Sequence, residues 1–203
     1  MKNLSINEAL KIAENKYKPR FNHILGVYEK AEYLADKYAV DSYKCSIAAI
    51  LHDYAKFESK NLMLDVISIY EPSLVSYDGA VYHGYVGAYL VQKEFGINDV
   101  DIINAIKYHV TGHPEMNDIA KIVYVADYTE KGRTHKGVEF CRYLSEKSLD
   151  LAVLGCAEGT YDYLISKKQA NIHPLTKSTY ETYLKKVGGN VYDTIKDNYK
   201  SMR

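Results

Sequence analysis

Apolar residues recur at helical spacing almost from end to end of this chain, and no segment shows the sustained polar/apolar alternation of a half-buried strand. The clearest run is Phe21, Leu25, Tyr28, Ala31, Leu34 and Tyr38, one face of a helix that Pro19 opens. Such a pattern implies an all-α fold. Start and stop signals divide it into segments. Ser5 with Glu8 three residues later makes a capping box for a first helix reaching about Tyr17. Asp41 or Ser42 caps a third helix, expected to end near Lys56. A fourth covers residues 62–70 and stops before Pro72, and residues 73–79 read as a loop around Asp78-Gly79. The fifth runs over residues 81–95 to its stop at Gly96; Asn98 caps a sixth, with Ile102, Ile103, Ile106 and Val110 as its apolar face. Asn117 caps a seventh, ending at Tyr128, and the polar, Gly-containing residues 130–137 read as a loop. A long helix over residues 148–168, a break at residues 171–174 and a helix over residues 176–187 follow. The helices are too unequal for a solenoid and lack heptads. The expectation is an irregular single-domain helical bundle over residues 1–187, with a C-terminal tail, residues 188–203, holding a short helix.

Charge excludes several partners. Lys and Arg total 26 and so do Asp and Glu, so no whole-chain footprint for nucleic acid or an anionic membrane exists. No apolar run approaches the roughly 20 residues that span a bilayer, and residues 1–8 lack the apolar stretch of a secretory signal, so a cytoplasmic location is expected. Cys45, Cys141 and Cys156 are odd in number without CxxC spacing, which argues against a disulfide framework or a zinc–thiolate site and for buried free thiols. Arginine is scarce, with only Arg20, Arg133, Arg142 and Arg203, so an arginine near a site is notable for its ability to bind phosphate in a bidentate way.

The apolar run from Ile47 ends in the adjacent pair His52-Asp53. Neighbouring side chains on a helix point about 100° apart, and a metal ion at the helix end is one object that both can reach. His23, His83, His109 and Asp127 also fall at or near expected helix ends, which in a compact bundle can converge on one pocket. Imidazole and carboxylate together suit Fe, Mn, Co, Ni or Zn. Any one of these residues alone would be unremarkable; the joint pattern points to metal chemistry. His113 and His135 lie in polar loop segments and are expected to play no part.

Several segments carry a more specific signal: residues 20–27 (RFNHILGV), 48–56 (AAILHDYAK), 83–88 (HGYVGA), 108–112 (YHVTG), 126–130 (ADYTE), Arg133 and 172–174 (IHP). Their order, H…HD…H…H…D, resembles that of the HD-domain metal-dependent phosphohydrolases, and within them the YqeK-like bacterial symmetrical bis(5'-nucleosyl)-tetraphosphatases. The resemblance covers residues 5–187. It departs at His113-Pro114-Glu115, where the family commonly has a basic residue then Pro-Gly, and at Glu130-Lys131, where the family tends to Glu-Pro. The resemblance implies a fold of the HD-domain type and an enzyme that hydrolyses diadenosine tetraphosphate to two ADP. It implies His23, His52, Asp53 and Asp127 as ligands of a first divalent or mixed-valence metal, with iron as the ion. His83 and His109 would serve a second metal position or the phosphate chain, and Asp53 would bridge two ions. Lys56, expected beside Asp53 on the helix surface, would neutralise phosphate oxygens, making Asp53 and Lys56 the catalytic pair. Arg133, Ile172 and His173 would contact the nucleotide, and the assembly would be a homodimer. Two alternatives remain open at this point: an HD-type phosphohydrolase of another nucleotide, and a nucleotide sensor without catalysis.

Overall fold

The computed structural model describes residues 4–77 and 79–202, so the expected turn residue Asp78 lies outside the described residues, as do Met1–Asn3 and Arg203. Eleven α-helices make up the described chain, in accord with the all-α expectation: α1 (Ile6–Lys16), α2 (Phe21–Lys37), α3 (Ser42–Leu51), α4 (Lys60–Tyr70), α5 (Gly79–Phe95), α6 (Val100–Tyr108), α7 (Asp118–Thr129), α8 (Val138–Ser145), α9 (Leu149–Ser166), α10 (Pro174–Val187) and α11 (Gly189–Ser201). Short 3-10 turns at Lys18–Arg20 and Pro72–Leu74 precede α2 and follow α4.

Helices α3 and α7 form the centre. Residues 45–51 of α3 and 119–126 of α7 are buried without a break, so both helices are covered on every side. The inner faces of α2 (Val27, Ala31, Leu34) and α6 (Ile102, Ala105, Ile106) complete the same core. Each fully buried Leu or Ile there contributes about 1.5–3 kcal/mol by leaving water. Helix α10 packs along α9, and α11 seats Tyr192 in the core, where its hydroxyl donates to Glu158 at 3.0 Å. All three cysteines are buried and free.

Four local expectations need correction. Helix α3 stops at Leu51, not near Lys56. Beyond it the amides of Tyr54 and Lys56 bond three residues back, to the carbonyls of Leu51 and Asp53, which is turn geometry. At this helix end Asp53 Oδ2 lies 3.3 Å from His52 Nε2. Asp99 caps α6 in place of Asn98, its Oδ1 accepting from the amides of Asp101 and Ile102. Helix α5 begins at Gly79, two residues before the expected start. Helix α8 was not expected at all; it starts from Gly137 in the left-handed region (φ 90°), so no side chain caps it.

Candidate metal centre

Six side chains from five elements meet beneath α2. His23 comes from the first turn of α2, His52 is the C-cap of α3, and Asp53 begins the turn after it. His83 projects from α5, His109 is the C-cap of α6, and Asp127 lies in the last turn of α7. His52, Asp53, His83 and His109 are all nearly inaccessible to water.

The Asp53 carboxylate divides the group in two. Its Oδ2 lies 3.3 Å from His52 Nε2 and 3.7 Å from His23 Nε2. Its Oδ1 lies 3.1 Å from His83 Nε2 and 3.6 Å from His109 Nε2. Asp127 Oδ1 joins the first half, 3.2 Å from His23 Nε2 and 3.8 Å from His52 Nε2. Within three overlapping triads (His23, His52 and Asp53; His52, His109 and Asp127; Asp53, His83 and His109) the candidate ligand atoms all lie within 4.8 Å of one another.

The imidazoles are fixed from behind. His52 Nδ1 lies 2.6 Å from the Ala49 carbonyl and His109 Nδ1 lies 2.8 Å from the Ile106 carbonyl. A carbonyl only accepts, so each Nδ1 carries the proton and each Nε2 lone pair faces inward. His23 Nδ1 is held at 3.1 Å by the Glu130 carboxylate in the same way. The inward nitrogens are crowded: His83 and His109 Nε2 are 3.0 Å apart, and His23 and His52 Nε2 are 3.4 Å apart. Nitrogens that close call for a proton or a metal cation between them.

Electrostatics agree with this fit. Burial pushes the His83 imidazole down to about 4, so it is neutral at pH 7 and its lone pair is free to coordinate. Burial opposes charge on His52, yet Asp53 beside it holds that imidazole above its ordinary value, so a proton competes for its Nε2 and metal binding would displace it. Asp53 and Asp127 stay well below the usual carboxylate range; burial works against both, and His52 for the one and His23 for the other outweigh it. The site is two ionised carboxylates among histidines, a donor set able to hold a divalent metal.

Close approach of the helices depends on glycine at two places. A Cβ on Gly84 would lie 2.7 Å from the Lys107 carbonyl oxygen, so glycine here lets α5 and α6 bring His83 and His109 together. A Cβ on Gly26 would lie 2.5 Å from Glu130 Oε2, so α2 needs glycine there for Glu130 to reach His23.

A model of the HD domain family matches residues 20–132, more than half the chain and all six converging residues. The chain belongs to the HD-domain family. A symmetrical bis(5'-nucleosyl)-tetraphosphatase of Bacillus subtilis is 40% identical over 173 residues, which cover 84% of this chain and 91% of that protein. One from Halalkalibacterium halodurans is 39% identical, covering 81% and 89% respectively. The crystal structure of a predicted HD superfamily hydrolase involved in NAD metabolism from Clostridium acetobutylicum matches 90% of this chain and 98% of its own, with a TM-score of 0.78 and 30% identity.

Around the HD cluster stand cationic groups. Lys56 Nζ lies 3.3 Å from His83 Nε2 and 4.0 Å from Asp53 Oδ1, brought there by the turn after α3 and not by a helix surface. Arg133 donates to the Asp127 carbonyl at 2.9 Å and to Asp127 Oδ1 at 2.5 Å, and it lines a cleft of about 450 Å³ with Lys131, Lys136 and Phe140. The His173 ring packs on Tyr77 and Tyr85, and its Nδ1 accepts from the Leu175 amide as the cap of α10. Its neighbour Ile172 is half-buried. His113 packs on Tyr108 and His135 on Tyr128, and His135 lines the same cleft as Arg133.

Sequence reasoning passed over three contributors. Arg20 donates from Nε to Asp53 Oδ2 at 2.5 Å. Glu130 orients His23 and accepts from the Gly132 amide. Arg142 donates to the carbonyls of Thr129, Glu130 and Arg133, tying down the loop that carries Glu130 and Arg133. Two had a local signal: Arg20 and Glu130 stand three residues from His23 and Asp127, one helical turn away. The signal for Arg142 is only the rarity of arginine.

Proposed function

We propose that this chain hydrolyses diadenosine tetraphosphate at its central anhydride, giving two ADP. The observation that carries the reading is Asp53, whose two oxygens serve two separate groups of inward-facing imidazoles. Full-length relatives named as symmetrical tetraphosphatases support the substrate.

His23, His52, Asp53 and Asp127 would hold one ion, and Asp53, His83 and His109 a second. A bound divalent cation lowers the pKa of water from 15.7 to roughly 7 and offsets charge on phosphoryl oxygens. The protein does the rest by positioning, which is most of what phosphoryl transfer demands. Asp53, as the carboxylate common to both halves, fixes their separation. Lys56, beside His83 at the rim, binds a phosphoryl oxygen as charge accumulates on it. Burial pushes the Lys56 ammonium down, Asp53 offsets part of that, and an adjacent phosphate favours its charged form. Arg133 reaches from Asp127 to the cleft it lines and holds one nucleoside diphosphate half there. Water adds to one inner phosphorus, the bridging P–O bond breaks, and a proton is released to solvent. Ile172 and His173 are proposed to contact the nucleotide or its phosphates, on the side of Tyr77 and Tyr85 against which the His173 ring packs. Iron as the ion, a cytoplasmic location, a homodimer and a catalytic unit within residues 1–187 complete the proposal on the strength of the family resemblance.

Anaerobic purification, elemental analysis and chromatography of products test this together. Two ADP per dinucleotide is the expected result. AMP with ATP, release of orthophosphate, or tight binding without turnover in the presence of iron or manganese would each refute it.

A further inference from the structure

We propose that Arg20 is a phosphate-binding residue, holding the nucleoside diphosphate half that lies across the cluster from Arg133. The inference rests on the symmetrical-hydrolase reading. A substrate cut at its centre leaves two equal dianionic-to-trianionic halves, and each must be held while the bond between them breaks. Arg133 supplies a guanidinium on the Asp127 side. The matching group on the Asp53 side is Arg20.

Its geometry is that of a fork presented to a ligand. Arg20 closes a 3-10 turn whose Pro19 fixes the backbone, and its amide bonds to the Tyr17 carbonyl at 2.8 Å. It stands one turn before His23, on the same face of the chain entering α2. Only Nε is used, on Asp53 Oδ2 at 2.5 Å. The two terminal nitrogens, with four N–H donors between them, have no hydrogen-bond partner among the described residues. The side chain is 27% exposed, so the guanidinium is partly withdrawn from water without being sealed from it. A guanidinium anchored at Nε with its tip unpaired suits planar recognition of phosphate oxygens.

Lys56 stands by the other oxygen of the same carboxylate, its Nζ 4.0 Å from Asp53 Oδ1, and Arg133 holds Asp127 Oδ1, which lies 3.2 Å from His23 Nε2, so the three cations ring one cluster. Three positive charges that close together favour a polyanion, and Arg20 and Lys56 flank the two oxygens of the same carboxylate.

The test is equilibrium binding of ADP to the metal-loaded protein, with metal content measured on the same samples. Arg20→Gln is expected to weaken ADP binding at least about tenfold, the usual effect of losing charge-assisted hydrogen bonds, while metal per chain stays unchanged. Arg20→Lys keeps the charge without the fork and is expected to fall between the two, which preserves the test should Arg20→Gln not fold. Unchanged ADP affinity in Arg20→Gln overturns the proposal. So does parallel loss of metal and affinity, because Arg20 would then act through Asp53. Wild-type protein that binds ADP through Arg20 yet fails to cleave the dinucleotide would sink the hydrolase reading and leave this one standing.

Discussion

Gly84→Ala separates the contribution of helix packing from that of side-chain chemistry at the cluster. The new Cβ would meet the Lys107 carbonyl oxygen at 2.7 Å and that of Ile106 at 3.3 Å. Both are backbone atoms, so no rotamer change relieves the contact. Reaching the 3.4 Å of an ordinary contact requires α5 and α6 to part by about 0.7 Å. Overpacking of this kind costs about 1–3 kcal/mol. Against it, alanine in a helix interior is favoured over glycine by about 0.5–1 kcal/mol. The clash wins by about 1 kcal/mol, a fall in Tm of roughly 2–4 °C for a chain of this size. Separation of the helices also pulls His83 from His109, now 3.0 Å apart at Nε2, and from Asp53 Oδ1. Metal content and turnover should therefore fall by more than the small stability change explains. Chemical denaturation, elemental analysis and product assay measure the three quantities. A variant that is stabilised by the helix-propensity amount, with metal content intact, would refute the close approach of α5 and α6 as the reason for glycine.

Asp53→Ala should abolish turnover and strip metal from both halves of the cluster; near-normal turnover would remove the bridging role. Glu130→Gln keeps the shape that packs against Gly26 but removes the charge behind His23 Nδ1. Metal affinity, measured by competition with a chelator, should fall about 10–100-fold, as for other groups that orient a ligand, and no change would mean that His23 needs no such support. Burial pushes the Cys45 thiol up to about 12 and raises Cys156 as well, so both remain protonated at pH 8. A thiol reagent at that pH should leave Cys45, Cys141 and Cys156 untouched until denaturant is added; rapid labelling of the native protein would contradict their burial.

What the sequence exposed follows from how far apart the interacting groups lie in the chain. Caps act over three residues, which is why the Ser5–Glu8 box and the Asn117 cap could be read directly and appear as hydrogen bonds. The convergence of His23, His52, Asp53, His83, His109 and Asp127 was legible only in outline, through their common placement near helix ends and the order of their motifs. Helix α8 did carry a stripe, Val138, Cys141, Leu144 and Ser145, at the spacing of one buried face. It is eight residues long and starts from a glycine with no capping side chain, so the polar loop before it hid the start.

The supporting groups were hidden for a different reason. Asp53 finds Arg20 across 33 positions and His23 finds Glu130 across 107, distances over which one sequence holds no pairing signal. His173 shows the converse: its segment marks the family, while its contacts with Tyr77, Tyr85 and Leu175 place it in the wall and cap of α10. Motif membership therefore locates the cluster without ranking its members. The rank comes from donors and acceptors: Asp53 serves both halves, Glu130 and two backbone carbonyls aim the imidazoles, and Arg20, Lys56 and Arg133 stand against the cluster's carboxylates. By that criterion Arg20, bonded to Asp53, ranks above His173, whose described contacts are Tyr77, Tyr85 and Leu175.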